Sequence, residues 1–468
     1  MNRDLRQWIA EVEKIGEMQH LKQAHWDLEI GTIYSIINSK GQAKAILFDE
    51  IQDYSKGYGV LVNALGSPLR VALTLGLQPS SEVTTLIRSW REMIKHIAPI
   101  PYTIVRDGPI LENVHTGSDI NVLEFPAPKW HELDGGRYIG TACMVITKDP
   151  EEGWVNIGTY RVMVHDEGAL GFYISPGKHG WQHREKYFKR NLPCPVALCF
   201  GQDPLLYLTS SLEIPYGINE YNYAGGIAGT PIEVIEAPIT GLPIPANAEI
   251  VIEGEALPDD RLVEGPFGEW TGYYGSSSRP EPVIRVKSVM HRNNPILCGA
   301  PPARPPNEIS FFKSIVSSGL IWDELEKAGV PGIQGVWRDT RFWVVVSVKQ
   351  RYAGHAKQAA LVASQCHAGA YLGRYAIVVD EDIDPTNTHD VLWALMSRCD
   401  PASSIDILRG CWSGPLDPII PSGQKGLNSR AIIEACKPFA WIDQFPATVE
   451  PSKELRDKVL SKWGERIT

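Results

Sequence analysis

Apolar residues at Leu5, Trp8, Ile9, Val12 and Ile15 recur at helical spacing, and Asn2 is placed to cap that helix. Apolar runs at 45–48 and 59–63 follow, then a second helical stretch over 82–97. This alternation predicts a small α/β unit over residues 1–110. From 111 to 310 the texture changes. Short β-prone runs recur at 138–147, 154–165, 170–175, 249–253 and 283–290, separated by turn residues, and long helical patterns are scarce. This middle region reads as a β-barrel or sandwich. Helical patterns return after Asn307. The continuous apolar runs 342–346 and 375–379 between them predict a second α/β unit over 311–468, its sheet covered on both faces. Pro451 and Ser452 open a last helix with Leu455, Val459, Leu460 and Trp463 on one side. That side docks on a neighbouring domain or subunit, or on its own core.

Composition narrows the class. The 468 residues carry a net charge of −10, and Gly (42) and Pro (35) make up about one residue in six, above the usual ~12%. The acidity argues against a protein that grips a nucleic-acid backbone. No apolar run approaches the ~20 residues that span a bilayer, and the charged N-terminal stretch lacks the apolar core of a secretory signal. The eight cysteines are scattered without a CxxC pair, which predicts reduced, mostly buried thiols in a cytoplasmic protein.

Five segments carry candidate chemistry. Residues 154–161 (WVNIGTYR) hold Asn156 and Arg161. Five positions apart, they face opposite sides of a regular strand unless Gly158 allows a bend. They also read as a surface amide and an ordinary salt-bridged arginine. Residues 175–181 (SPGKHGW) form a Gly-flanked loop in which His179 is a metal ligand, a base or simply solvated. Residues 209–220 (TSSLEIPYGINE) suit a loop beneath a cofactor and end on Glu220, before the glycines of 225–229. Residues 264–269 (EGPFGE) place two carboxylates five apart where Gly265, Pro266 and Gly268 forbid a helix. Such a pair can split its pKa values into one proton donor and one anion, or flank a turn in solvent. The acidic run 380–385 is read as capping the next element and staying solvated rather than binding a cation. Phosphate-loop, nucleophile-elbow and zinc-helix motifs do not occur. What remains is a mixed N/O donor set suited to Mn²⁺ or Mg²⁺ and an arginine between two carboxylates.

These pieces, in this order, resemble the UbiD family of prenylated-FMN-dependent decarboxylases. The stretch from Leu5 to Ile33, Trp154-x-Asn156-x4-Arg161, the EGPFGE segment and residues 379–385 followed by VLWA carry the likeness along most of the chain. The resemblance implies an α/β protein with a central split β-barrel of flavin-reductase type between N- and C-terminal α/β units. It also implies that Asn156, His179 and Glu220 hold a divalent ion, Mn²⁺ or another, against the cofactor phosphate. Backbone carbonyls of Trp154, Ser210 and Leu212 would hold K⁺, with Glu220 serving that ion too. Ile157, Tyr160, Lys178 and Ser210 match the neighbourhood of the isoalloxazine and ribityl chain. Arg161, Glu264 and Glu269 match a Glu–Arg–Glu network with Glu269 as proton donor. The activity implied is reversible decarboxylation of an aromatic, heteroaromatic or α,β-unsaturated acid through a covalent cofactor adduct, with CO₂ as product. A flavin prenyltransferase would supply the cofactor, and the chain would form a homodimer or homohexamer. Lys178, where the family also has an uncharged amide, and Arg304 in residues 300–308 hint at a polar, compact aromatic acid. Lys349 and Lys425 are further basic residues considered for the phosphate and left outside the set. Two rival readings stay open: a cofactor-binding protein without decarboxylase activity, and a metal-dependent hydrolase using the same Asn/His/Glu set.

Overall fold

The computed structural model describes residues 3–41, 43–212, 214, 216–275, 277–414, 416–421 and 426–467. The opening helix runs Leu5–Lys14 and is capped by Asp4, whose carboxylate accepts the Gln7 N–H at 2.8 Å. The expected cap, Asn2, lies outside the described residues; Asp4 takes the role because it stands directly before the first helical residue. Leu5, Trp8, Ile9 and Val12 are buried. Ile15 is 43% exposed, because the helix has ended before it. The stretch read over 82–97 forms Val83–His96.

A four-stranded sheet follows in the order Met18–Lys22, Ala45–Asp49, Gly59–Val62, Ile296–Gly299. Its last strand returns from far downstream and pairs in parallel with the third, Ile296 opposite Gly59.

The middle sheet is antiparallel. Its path runs Arg137–Gly140, Val162–Asp166, Ala169–Gly171, Arg279–His291, Ile250–Glu264, Cys194–Phe200, Met144–Lys148, Val155–Gly158, with Asn113–Thr116 paired to Arg279–His291. Two of the expected runs each split into two strands: 138–147 at the turn after Gly140, and 154–165 after Gly158. Ile250–Glu264 and Arg279–His291 form a long hairpin, from Ile250 opposite His291 to Glu264 opposite Arg279. Three helices interrupt these strands: His179–Lys189, Pro204–Ser210 and Glu220–Ala228. The segments 175–181 and 209–220, expected as loops, contain the starts at His179 and Glu220, because glycine and proline mask the helical signal there. Gly225 and Gly226 are crowded by neighbouring backbone. A Cβ on either would meet Ile100 O at 2.8 Å or Ala98 O at 2.6 Å.

The C-terminal sheet has the order Ile333–Asp339, Trp343–Val348, Tyr375–Asp380, Leu427–Ala435, Ile405–Trp412, with parallel pairs at its centre. Alternate residues serve two cores, as strand periodicity requires. Val344, Val346, Ala376 and Val378 join the core that includes the helices Glu308–Lys327 and His355–Gln365. Val345, Ile377 and Val379 pack with Val391 and Ala394 of the helix Thr388–Arg398. Both faces of these strands are therefore covered. The terminal helix Lys453–Ile467 exposes Leu455, Val459, Leu460 and Trp463, so its apolar side does not dock on the chain's own core.

All eight cysteines are free thiols, five of them buried. Among the described residues, no helix is long and apolar enough to cross a membrane.

Candidate active site

The EGPFGE segment begins on the last residue of the long strand Ile250–Glu264, so Glu264 is held by sheet pairing. The chain then leaves the sheet, and Glu269 opens a turn in which its N–H donates to Tyr273 O at 2.9 Å. The arginine between them comes from the far side of the break at Gly158. The strand Val155–Gly158 ends, residues 159–161 turn, and Arg161 precedes the strand Val162–Asp166. The expected regular strand, which would have kept Asn156 and Arg161 on opposite faces, is thus interrupted. Gly158 matters here because a Cβ would lie 2.4 Å from the Tyr160 ring.

Arg161 grips Glu264 with two nitrogens, Nε to Oε1 at 2.9 Å and Nη2 to Oε2 at 2.8 Å. Its Nη1 donates to Glu269 Oε1 at 3.2 Å. The guanidinium lies over the Tyr173 ring at 4.3 Å and nears Phe267 at 5.6 Å. The Tyr138 hydroxyl donates to Glu264 Oε1 at 3.2 Å. Burial alone would lower the Arg161 pKa, but Glu264 and Glu269 hold it above its ordinary value. Burial pushes the Glu269 carboxyl up to about 7; Arg161 opposes the rise and Glu264 adds to it. One carboxylate of the pair is clamped by two charge-assisted bonds, and the other is left able to carry a proton near neutrality.

A second cluster gathers around the Tyr160 hydroxyl, which accepts the Gly180 N–H at 3.3 Å. Gly180 follows His179, the first residue of its helix. The Asn156 amide acts on the same phenol, yet its buried Nδ2 closes no hydrogen bond of normal geometry. Glu220, first residue of the helix Glu220–Ala228, accepts the Ile157 N–H at 2.9 Å. Burial pushes its carboxyl up to about 7, and burial lowers His179. The His179 ring meets Trp154 edge-on at 4.9 Å. A buried amide without a partner and a buried carboxylate with little compensation are what a cation and its anionic partner would satisfy. The residues therefore fit a metal-bridged phosphate group.

The other expected positions are close by. Ser210 ends its short helix, and its carbonyl accepts the Thr159 N–H at 3.1 Å. The Trp154 carbonyl accepts the Asp149 N–H at 2.7 Å. A carbonyl has two lone pairs, so each keeps one. Leu212 stands just beyond, next to residues outside the described set. Ile157 is buried, and Lys178 is an exposed residue at the start of the His179 helix. Arg304 is exposed, and its backbone lies against the turn after Glu269: a Cβ on Gly272 would lie 3.0 Å from the Arg304 Cα. Lys349 pairs with Glu381 at 3.4 Å, and Lys425 lies outside the described residues.

In the acidic run 380–385, Glu381, Asp382 and Asp384 are exposed as expected, and two points need correction. Asp380 is buried, not solvated, and Arg398 donates to it at 2.9 Å and to Asp382 at 2.8 Å. Burial would raise Asp382, but Arg398 and Lys437 hold it at about 2. Asn387, not an aspartate, caps the following helix. Asp380 and Asp382 thus share the Arg398 guanidinium, one carboxylate buried and the other at the surface.

Sequence reasoning missed several neighbours of the network. Tyr138 and Tyr173 come from other strands and loops, where only folding brings them near. Phe267 stands inside the motif and was open to inspection. Lys313, on the helix Glu308–Lys327, also acts on Glu269. Gly135 supports the segment from outside. Its N–H donates to Pro266 O at 2.8 Å, and a Cβ there would lie 2.1 Å from Gly265 O. Gly135→Ala is expected to cost about 1–3 kcal/mol by overpacking and to lower activity by shifting Glu264 and Glu269. Denaturant titration and steady-state rates check both.

Three family models match in succession: the 3-octaprenyl-4-hydroxybenzoate carboxy-lyase N-terminal domain over residues 9–90, its Rift-related domain over 103–305 and its C-terminal domain over 310–435. A phenolic acid decarboxylase of Sedimentibacter hydroxybenzoicus is 31% identical, covering 93% of this chain and 92% of its own. A pyrrole-2-carboxylic acid decarboxylase of Pseudomonas aeruginosa is 30% identical over 99% of both chains. Among solved structures, the UbiD-class enzyme HmfF of Pelotomaculum thermopropionicum in complex with FMN superposes with a TM-score of 0.86 at 26% identity, covering 97% of this chain and 100% of that one. An evolved dimeric form of HmfF in complex with prFMN gives a TM-score of 0.82 at 25% identity, over 96% and 98% of the two chains.

Proposed function

The chain belongs to the UbiD family of carboxy-lyases, and from that premise we propose reversible, non-oxidative decarboxylation of an aromatic, heteroaromatic or α,β-unsaturated carboxylic acid with prenylated FMN. The observation that carries the reading is Arg161 held between Glu264 and Glu269, with Glu269 pushed up to about 7. Prenylated FMN bound to the solved relative supports the cofactor.

Losing CO₂ from an sp² carbon leaves an electron pair without a place on the substrate; when bound, the modified flavin supplies that sink. Glu269 supplies the proton. The C–CO₂ bond breaks, a C–H bond forms with the Glu269 proton, and the carboxylate left behind is reprotonated from water. Arg161 keeps Glu264 and Glu269 in place and limits how far Glu269 rises. Asn156, His179 and Glu220 would hold a divalent ion such as Mn²⁺ at the cofactor phosphate. The Trp154, Ser210 and Leu212 carbonyls would hold K⁺. Ile157, Tyr160, Lys178 and Ser210 would line the flavin side, and Lys178 and Arg304 would meet the polar part of the acid. A flavin prenyltransferase supplies the cofactor. The exposed apolar side of Lys453–Ile467 supports assembly into a homodimer or homohexamer. The division at residues 110 and 310, with the middle sheet as a split barrel of flavin-reductase type, belongs to the same reading.

Turnover should depend on pH with a definite sign. The reactive form carries a proton on Glu269, so kcat for decarboxylation is expected to hold below about 7 and to fall above it. The fall should be broader than one ionisation, because Glu269 titrates with the charges around Arg161. A pH profile of kcat measured at saturating acid checks this. The reading itself is tested by the absorption spectrum after co-expression with a flavin prenyltransferase. A bound flavin band supports it, and a colourless, folded protein sinks it.

A further inference from the structure

His115 and His291 come from adjacent strands, Asn113–Thr116 and Arg279–His291, in which Val289 stands opposite His115. His291 is two positions along from that partner, so both histidines lie on one face of the sheet. Their rings stack with centroids 5.3 Å apart and planes 15° from parallel. Glu124 closes the third side from the 3₁₀ turn Val122–Glu124. One ligand atom from each of the three lies within 4.8 Å of the others, and among the described residues no other group of three His, Cys, Asp or Glu does this.

Two further observations point to a cation. Glu124 Oε1 is shut off from solvent and has no hydrogen-bond partner. A carboxylate oxygen in that state is costly unless something positive meets it. The His291 Nδ1 lies 2.8 Å from the Arg292 carbonyl, a contact that requires the proton on Nδ1. In the neutral ring Nε2 then keeps its lone pair, the arrangement of a metal-bound imidazole oriented by a backbone carbonyl. The ring is also held sterically, with Phe125 edge-on at 5.5 Å and Tyr58 at 6.3 Å.

We propose that His115, Glu124 and His291 form a binding site for a borderline divalent cation, Zn²⁺ by preference, separate from the candidate active site. Two imidazoles and one carboxylate leave a fourth tetrahedral position for water. A nitrogen-rich donor set selects Zn²⁺ or Co²⁺ over Mg²⁺ or Ca²⁺. Zinc bonds of about 2.0–2.1 Å place donor atoms roughly 3.3 Å apart, so binding requires the half-buried His115 and Glu124 to turn toward the more buried His291, with the His115 ring tilting out of its stack so that both lone pairs meet one ion. The cluster stands at one end of the long hairpin, where Ile250 pairs with His291. The Glu264–Arg279 pair marks the other end. An ion here would tie the Asn113–Thr116 strand and the Val122–Glu124 turn to that hairpin, so its role is structural.

The test uses the full chain, stripped with a chelator and titrated with Zn²⁺, Co²⁺ or Mg²⁺ alone. Wild-type protein should take up one more equivalent of Zn²⁺ than His115→Ala or Glu124→Gln. Zn²⁺ should raise its melting temperature and Mg²⁺ should not. Co²⁺ should give intense tetrahedral visible bands in wild type that both variants lose. Each variant should bind at that site about 100-fold more weakly or worse. Circular dichroism confirms that the variants are folded, and either folded variant suffices. The proposal is overturned if a folded variant matches the wild type in Zn²⁺ stoichiometry, affinity and melting response.

Discussion

Glu269→Gln is expected to lower decarboxylation by about 10²–10⁴-fold, the range that a positioned general acid contributes, while leaving flavin bound. Glutamine keeps the size of the side chain and an oxygen to accept from Arg161 Nη1, which lies 3.2 Å from Glu269 Oε1. It removes only the transferable proton. Glu269 also stands apart from the second cluster around Asn156, His179 and Glu220, so cofactor content should not change. Single-turnover rates with the flavin spectrum recorded in parallel separate loss of chemistry from loss of cofactor. A variant that turns over near the wild-type rate contradicts the donor assignment.

Arg161→Met should be the most damaging substitution for stability. Arg161 makes two bonds to Glu264, a side chain only 2% exposed, and a third to Glu269. Removing one partner of a buried pair leaves the other charge without compensation, which costs about 3–5 kcal/mol. Methionine fills much of the volume, so the loss reports charge rather than a cavity. The sign with pH follows from linkage. Arg161 is what opposes the rise of the Glu269 carboxyl, which without it is left protonated to higher pH, so the deficit against wild type should be smaller at pH 5 than at pH 8. Denaturant midpoints at the two pH values check this, and equal stability of variant and wild type at pH 8 would contradict it.

The elements that could be read from the chain are those whose signal is local. The spacing of Leu5, Trp8, Ile9 and Val12 announced a helix, and the continuous apolar runs 342–346 and 375–379 announced strands covered on both sides. The EGPFGE segment was readable because glycine and proline exclude a helix while two carboxylates remain. Long-range closure was not readable. Nothing near Ile296–Gly299 says that it completes a sheet begun at Met18. Nothing in 379–385 reveals the Arg398 guanidinium that buries Asp380. The helices beginning at His179 and Glu220 were hidden by flanking glycines, although each places its first residue at the candidate site. The His115–Glu124–His291 cluster was missed because His291 lies far along the chain from the other two and meets them only across the sheet.

The most direct test of the central claim is CO₂ release by the protein loaded with prenylated FMN, measured over a panel of aromatic, heteroaromatic and acrylic acids, with exchange of labelled bicarbonate as the reverse arm. The account predicts release or exchange with at least one acid, absent in Glu269→Gln. A folded, flavin-loaded protein that releases and exchanges no CO₂ across the whole panel would contradict it.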